Sequence, residues 1–380
     1  MVCGIESNLM KSGDIERMKI KTITCHNVYN VGASLQAYAL FRYLQDLGHD
    51  VKIIDYEPPY LRHYKLWGVD NPAYDRPILR EVYGILKLPR RIRARQSLKK
   101  RLFDKFTREY LSLTERSYTS DAELKKNPPQ ADLYIAGSDQ IWNPYFKNGL
   151  DPAFYLDFVP DPVVRASYAA SFAVDHIAEE KEKKISSMLK RFDFISVRES
   201  TGLELLKHMG IENAQQVLDP VFLPDPSVWL GLSENRMIDQ PYVLIYDFDQ
   251  NPELMRRAET IARKKSCITV SMSGHAEADR KAEAGPLEFL SLIRYADAVV
   301  TNSFHATAFS VLFERPFLVY DRKEPINTRM HDFLRLLGLG HDNLAADYEG
   351  VRRILSERAD ESRAYLLHVI SSTTKQGKRM

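Results

Sequence analysis

One stretch constrains the fold more than any other, Tyr295-Ala-Asp-Ala-Val-Val-Thr-Asn-Ser-Phe-His-Ala-Thr-Ala-Phe-Ser-Val-Leu-Phe-Glu-Arg-Pro-Phe-Leu-Val-Tyr320. It reads as strand, tight turn, helix, strand. Residues Ala298 to Thr301 are short, apolar and β-prone, and Asn302-Ser303 can turn the chain and cap a helix. From Ala306 to Phe313, the side chains of Ala308, Val311 and Leu312 fall on one helical face. Pro316 stops that helix, and Phe317 to Tyr320 starts a second buried strand. His305 lies where the first strand gives way to the helix. In an open α/β sheet ligands bind at the carboxyl ends of strands, and helix N-termini attract anions. A titratable imidazole at that place is a candidate functional group; the structural alternative is a capping or packing histidine.

The same grammar runs along the chain. Ile20 to Thr24 is a strand, His26 to Gly32 a loop, Ala33 to Leu47 a helix ended by Gly48, and Val51 to Asp55 a strand. This is a βαβ unit, the start of a parallel sheet. The turn Asn30-Val-Gly32 opens its helix as a phosphate-binding loop would. It lacks the three-glycine dinucleotide fingerprint, and Asp55 alone does not supply it, so no nicotinamide or flavin cofactor is expected. Ala131 to Ala136 is another buried strand, running into Gly137-Ser-Asp-Gln-Ile-Trp-Asn-Pro144. That loop places Asp139 and Gln140 at the sheet's carboxyl edge. Trp142 offers a flat apolar plate suited to a sugar face, or else packs beneath the loop. A short strand from Phe194 ends on Arg198, and Val217 to Phe222 closes the series with Asp219-Pro220 at a turn.

Leu223 to Gln240 reads as a linker, and a second α/β series follows from Tyr242. The organisation expected is a disordered lead-in at 1–17, an N-terminal Rossmann-like domain at 18–224, a linker at 225–240, a C-terminal Rossmann-like domain at 241–345, and a terminal helix with a frayed tail at 346–380. The N-terminal domain carries an insertion at about 56–130, read as helical and basic. Its first part is rich in tyrosine and proline; from Pro89 to about Arg108 a helix mixes Arg90, Arg91, Arg93, Lys99 and Lys100 with Ile92, Leu98, Phe103 and Phe106. A solvated helical face is the plain reading. A basic amphipathic surface over 87–108 resting on anionic lipid is the sharper one. The formal net charge of only +2 over 380 residues argues against a nucleic-acid partner. No apolar run approaches the roughly 20 residues of a membrane span. Residues 1–17 do not read as a secretory signal, and the cysteines (Cys3, Cys25, Cys267) are far apart, without metal-ligand spacing. A reduced, cytoplasmic setting is expected, with peripheral contact at the inner membrane face as an extension. No metal constellation is visible.

Two parallel-sheet domains facing a cleft, with a C-terminal helix able to cross back, describe a glycosyltransferase-B-like layout. The chain also resembles the polysaccharide pyruvyl transferase family, which moves a pyruvyl group from phosphoenolpyruvate onto sugar hydroxyls. The likeness rests on Asn30-Val-Gly-Ala-Ser-Leu-Gln-Ala-Tyr-Ala-Leu40, Ala136-Gly-Ser-Asp-Gln-Ile-Trp-Asn-Pro144, Ile195-Ser-Val-Arg-Glu-Ser200, Leu218-Asp-Pro-Val221 and Thr301-Asn-Ser-Phe-His-Ala-Thr-Ala-Phe-Ser310, in the expected order. The resemblance implies that Arg198 meets the anionic donor and that His305 leads the catalysis. In one branch of the family the last segment reads Arg-Leu-His; here it is Ser303-Phe304-His305, so no donor-binding arginine stands at 303.

Either Arg198 with a second cation, Arg329, holds phosphoenolpyruvate, or helix N–H groups near Asn302 and Ser303 do more of that work. Asp139 is a second catalytic candidate, able to orient a hydroxyl or take its proton, with turn-capping as its alternative. Asn30, Gln140 and Trp142 are the acceptor-side candidates. The expected activity forms a pyruvate ketal on a sugar of a surface polysaccharide repeat unit, lipid-linked in the fullest version, with phosphoenolpyruvate as co-substrate and no cofactor. The alternatives are a nucleotide-sugar glycosyltransferase of the same architecture and a non-catalytic glycan-binding subunit.

Overall fold

A computed structural model describes residues 17–61 and 96–377. The N-terminal half opens with strand β1 (Lys19–Ile23), helix α1 (Val31–Asp46) and strand β2 (Asp50–Tyr56). Helix α2 (Leu98–Tyr110) leads to β3 (Leu113–Tyr118), α3 (Asp121–Lys126), β4 (Leu133–Ala136) and β5 (Val164–Ser167). Helix α4 (Glu179–Leu189), β6 (Ile195–Val197), α5 (Ser200–His208) and β7 (Ala214–Gln216) follow. The main sheet is parallel, in the order β3-β2-β1-β4-β5. The parallel pair β6–β7 continues it, because the Ser167 amide donates to the Phe194 carbonyl at 3.0 Å and Arg198 donates to Ala170 at 3.2 Å. The order reverses between β1 and β4, so the crevice of this half opens above those two strands.

Helix α6 (Pro226–Leu232) joins the halves. The second half runs β8 (Tyr242–Tyr246), α7 (Pro252–Lys265), β9 (Ile268–Ser271), β10 (Arg280–Lys281), α8 (Pro286–Arg294), β11 (Ala298–Thr301), α9 (Phe304–Leu312), β12 (Phe317–Val319), α10 (Thr328–Leu336) and β13 (Asp342–Asn343). Its sheet is ordered β10-β9-β8-β11-β12-β13, parallel except for the edge strand β13. Here the reversal falls between β8 and β11. Helix α11 (Tyr348–Gly377) starts against the second half, with the Tyr348 hydroxyl donating to the Arg315 carbonyl at 2.6 Å. It then crosses to the first, where Ser362 Oγ accepts from the Leu218 amide at 2.9 Å and the Tyr365 hydroxyl donates to the Ser167 carbonyl at 2.9 Å. The result is two Rossmann-like domains with a crossing helix, a glycosyltransferase-B-like architecture.

Aromatic side chains bind the halves together. Tyr38 of α1 meets Phe106 at 5.9 Å and Trp229 at 5.8 Å between ring centroids; Trp229 meets Phe309 at 5.0 Å, and Phe309 meets Phe289 at 5.9 Å. One apolar cluster therefore runs from α1 and α2 through α6 into α8 and α9. Asp332 of α10 adds a polar tie. Its carboxylate accepts from the Ser200 amide at 2.9 Å and the Ser200 hydroxyl at 2.6 Å, capping α5 from the opposite half.

Three expectations need correction here. Residues 113–118, placed within a helical insertion, form the edge strand β3, because Thr114 and Tyr118 fall on the same inward face while the side chains between them are exposed. The stretch 225–240, read as a plain linker, contains α6 and the fully buried Trp229, whose indole donates to the Val221 carbonyl at 2.9 Å. The basic helix expected from Pro89 begins, among the described residues, at Leu98 under a Ser97 cap, and residues 62–95 lie outside the described ones. Its Phe103 and Phe106 are buried, packing against Tyr29 and Tyr38. No helix among the described residues is long and apolar enough to cross a membrane.

Candidate active site

The two sheets turn their strand ends toward one cleft of about 250 Å³. The lining groups come from loops and from the first turns of helices near the carboxyl edges. Asn30 follows β1, Asp139 and Gln140 follow β4, Phe248 follows β8, Asn302, Ser303 and His305 follow β11, and Arg322 and Asn327 follow β12; Arg329 and Met330 stand in the first turn of α10. The backbone is strained in this layer. Tyr29, Asp139, Ala169 and Gln250 all hold left-handed conformations, with φ of 50°, 69°, 51° and 50°. Non-glycine residues in that region concentrate where structure is held for function.

His305 is buried in the first turn of α9. Its Nε2 stands 3.5 Å from Oδ2 of Asp219, an ion-pair distance without hydrogen-bond alignment. The same carboxylate oxygen lies 3.0 Å from Nη2 of Arg198. Burial alone would push the Asp219 carboxyl up, but the charges of Arg198 and His305 outweigh it and hold the group at about 2. Asp219 also caps the short turn after it, accepting from the Val221 amide at 3.0 Å. On its other side the imidazole touches Gly32: a Cβ there would fall 2.0 Å from Nδ1 of His305. Glycine is required at this close approach of α1 to α9.

Arg198 lies beneath the cleft. Its Nη2 donates to the Ser138 hydroxyl, and its guanidinium stacks on the Phe304 ring, with Cζ 5.0 Å from the centroid. Its Nε and Nη1 have no hydrogen-bond partner among the described residues, and neither has Nε2 of His305. Buried donors without acceptors are costly, on the order of 1–3 kcal/mol each, and native proteins keep few of them. Arg329 covers the other face of Phe304, with Cζ 5.5 Å from the centroid, and donates to Oδ1 of Asp139 at 3.3 Å. With its amide oxygen turned inward, Gln140 accepts from Nη2 of Arg329 at 2.8 Å. Burial pulls the Arg329 guanidinium below its usual range, and Asp139 opposes that shift.

The cleft thus brings together His305, Asp139, Gln140, Arg329, Asn30, Asn302 and Ser303, with Arg198 one layer below. Several of these are engaged locally. Asn30 Oδ1 caps α1 through the Gly32 and Ala33 amides at 2.9 and 3.3 Å. Asn302 donates to Asp247 at 2.6 Å and to Asp249 at 3.2 Å, fastening the loop after β8. Ser303 caps α9, its hydroxyl accepting from the Ala306 amide at 3.4 Å, while the amides of Phe304 and His305 begin the helix with no intrahelical acceptor. Trp142 is not in the cleft. It is fully buried, stacked on Tyr155 at 5.6 Å, and its indole donates to the Phe154 carbonyl at 3.0 Å. The acceptor role expected for Trp142 is therefore withdrawn; the loop turns this side chain into the core of the first half.

Sequence reasoning passed over Asp219, read only as a turn, although it stands within a segment that carried the family likeness. It also passed over Arg322, whose Nε lies 3.2 Å from both oxygens of Asp249, and the rim rings Phe146 and Phe248, exposed at 42% and 41%.

Two facing Rossmann-like domains whose switch points share a polar, cation-lined cleft define a glycosyltransferase-B-like architecture. Within that class the chain belongs to the polysaccharide pyruvyl transferase family, whose model matches residues 30–324. No curated protein matches the chain significantly. Among solved structures it is similar to the UDP-N-acetylglucosamine 2-epimerase from Rickettsia bellii (10% identity, 94% of this chain and 98% of that one, TM-score 0.48). It is also similar to the UDP-GlcNAc 2-epimerase from Methanocaldococcus jannaschii (12% identity, 90% and 93%, TM-score 0.46) and to UGT2 of Phytolacca americana (11% identity, 94% and 99%, TM-score 0.45). The fold class rests on the chain's own topology rather than on these distant likenesses.

Proposed function

We propose that the cleft transfers the pyruvyl group of phosphoenolpyruvate to two hydroxyls of a sugar in a surface polysaccharide repeat unit, forming a pyruvate ketal. The observation that carries this reading is the pair of Arg198 nitrogens, Nε and Nη1, buried without a hydrogen-bond partner among the described residues, with His305 and the deeply ionised Asp219 beside them. A small dianionic donor supplies acceptors for such nitrogens. Arg329, tied to Asp139 by one 3.3 Å contact, is a second cation that an incoming phosphate or carboxylate can draw away. The first-turn amides of α9 add oriented donors. No arginine at 303 is needed in this arrangement.

The chemistry balances as follows. Protonation of the donor's methylene carbon makes a methyl group and leaves an oxocarbenium-like centre at C2. One sugar hydroxyl adds there, the C–O bond to phosphate breaks, and the second hydroxyl closes the ring. Of the two hydroxyl protons, one replaces the proton delivered to carbon and the other leaves with phosphate. His305 is the acid and base in this scheme, delivering the first proton and recovering one from a hydroxyl. Asp219 orients its ring and stabilises the imidazolium. Asp139, once Arg329 swings to the donor, is free to hold the acceptor hydroxyl. On the acceptor side Phe146 and Phe248 take the place first given to Trp142, because rings exposed at the rim of a cleft suit the apolar face of a sugar.

Calorimetric titration of the full chain with phosphoenolpyruvate and, separately, with a UDP-sugar tests the donor. Binding of phosphoenolpyruvate that weakens at least about tenfold in Arg198→Lys is expected, since lysine lacks the planar set of donors. Binding of the UDP-sugar alone, with nucleotide released in the presence of a glycan, would replace this reading by a glycosyltransferase.

A further inference from the structure

On the outer side of the cleft's second wall, three metal-type ligands converge from three segments. Asp321 follows β12, His331 stands on α10, and His341 precedes β13. Nε2 of His331 lies 2.6 Å from Oδ1 of Asp321, and Nε2 of His341 lies 3.5 Å from the same oxygen. One ligand atom from each residue falls within 4.8 Å of the other two, and the imidazole centroids are 5.5 Å apart. Among the described residues Asp321 has no lysine or arginine within ion-pair distance; its charged partners are these two histidines alone. Bonds of about 2.0–2.2 Å in tetrahedral geometry set ligand atoms roughly 3.4 Å apart. The observed spacings straddle that value, and all three side chains are exposed enough to adjust.

We propose that Asp321, His331 and His341 bind a divalent ion of the zinc class, with water completing the coordination. Two imidazoles and one carboxylate select borderline metals such as Zn²⁺, Co²⁺ or Ni²⁺ over Mg²⁺ or Ca²⁺. The ion acts as a staple. Between Asp321 and His331 lie Arg322, Glu324, Ile326, Asn327, Arg329 and Met330, all of which line the cleft. Fastening the two ends of that segment to each other and to the approach to β13 holds one wall of the cleft in place without the metal touching substrate. Sequence spacing concealed the site because its ligands stand in three separate elements and in no recognised metal motif.

The test uses the untagged full chain, stripped with chelator and titrated with Zn²⁺ by calorimetry, with Co²⁺ visible absorption as a second readout. One equivalent is expected to bind, with a d–d band for Co²⁺ and a rise in Tm on adding Zn²⁺. In His331→Ala/His341→Ala affinity should fall by at least about tenfold, and the band and the Tm rise should vanish, while the metal-free Tm stays that of the wild type. Absence of Zn²⁺ binding by the wild type, or equal binding by the double variant, would overturn the proposal.

Discussion

His305 and Asp219 face each other at 3.5 Å, from opposite halves of the molecule and with no hydrogen-bond alignment between them. The carboxylate is already committed on its other side to Arg198 at 3.0 Å. The imidazole is thus poised beside a negative charge without being locked to it, which suits a group that must gain and lose a proton during one turnover.

Asp219 carries the first prediction. Its carboxyl sits at about 2 in the folded chain, against an ordinary value of 3.8. A depressed carboxylate contributes stability that is complete above the unfolded value and lost as pH falls through the folded one. The contribution is on the order of 2 kcal/mol, present above about pH 4 and gone near pH 2. Urea midpoints for the wild type and Asp219→Asn, measured from pH 7 down to 2.5, should differ most at neutral pH and converge in acid. A constant difference across that range would contradict it. The variant should also lose about 10²-fold or more in kcat with a smaller change in donor KM, as expected of a residue that positions the imidazole.

Gly32 gives a steric test. An added methyl would lie 2.0 Å from the imidazole, so Gly32→Ala must displace either the ring or the start of α1. We expect a stability loss of about 1–3 kcal/mol and a fall in transfer rate close to that of His305→Ala. Thermal melts and kcat for the two single variants and their double should show strong non-additivity in kcat.

The aromatic residues separate packing from recognition. Trp142→Ala should lower stability by about 3–5 kcal/mol, because the side chain is fully buried beneath its loop. Phe146→Ala and Phe248→Ala should leave Tm within about 1–2 °C while raising the acceptor KM several-fold and sparing the donor KM. A donor effect instead would move these rings to the other substrate.

Arg329 is expected to exchange partners. In Arg329→Lys the fork shared between Asp139 and Gln140 is lost, and donor KM should rise by about tenfold. Asp139→Asn should bind the donor as well as or better than the wild type, since it frees Arg329, yet turn over more slowly. Donor titrations and steady-state kinetics on both variants check this pair.

Much of the architecture was legible because alternating strands and helices leave a periodic trace, and because turn residues mark the carboxyl edges. The strand–turn–helix around His305 is present, with the strand at Ala298–Thr301 as read and the helix at Phe304–Leu312, starting two residues before the Ala306 expected. What sequence concealed is direction. Trp142 and Phe146 lie four residues apart in one loop, yet the first points into the core and the second to the rim of the cleft. Only the packing of the surrounding rings Tyr155, Phe172 and Phe192 decides that. Asp219 was hidden differently. An aspartate before a proline satisfies a turn by itself, so its second task, beside a histidine distant in sequence, leaves no local mark. The aromatic chain through Trp229 was likewise invisible, because a single tryptophan among polar neighbours carries no period.

The most direct measurement follows the methyl signal of the ketal by proton NMR, with inorganic phosphate read in parallel, for wild type and His305→Ala given phosphoenolpyruvate and a saccharide acceptor. Equimolar ketal and phosphate are expected from the wild type. A loss of about 10²–10⁴-fold is expected in His305→Ala, which should keep the wild-type fold by circular dichroism and still bind phosphoenolpyruvate. Near-normal ketal formation by that variant would contradict this expectation.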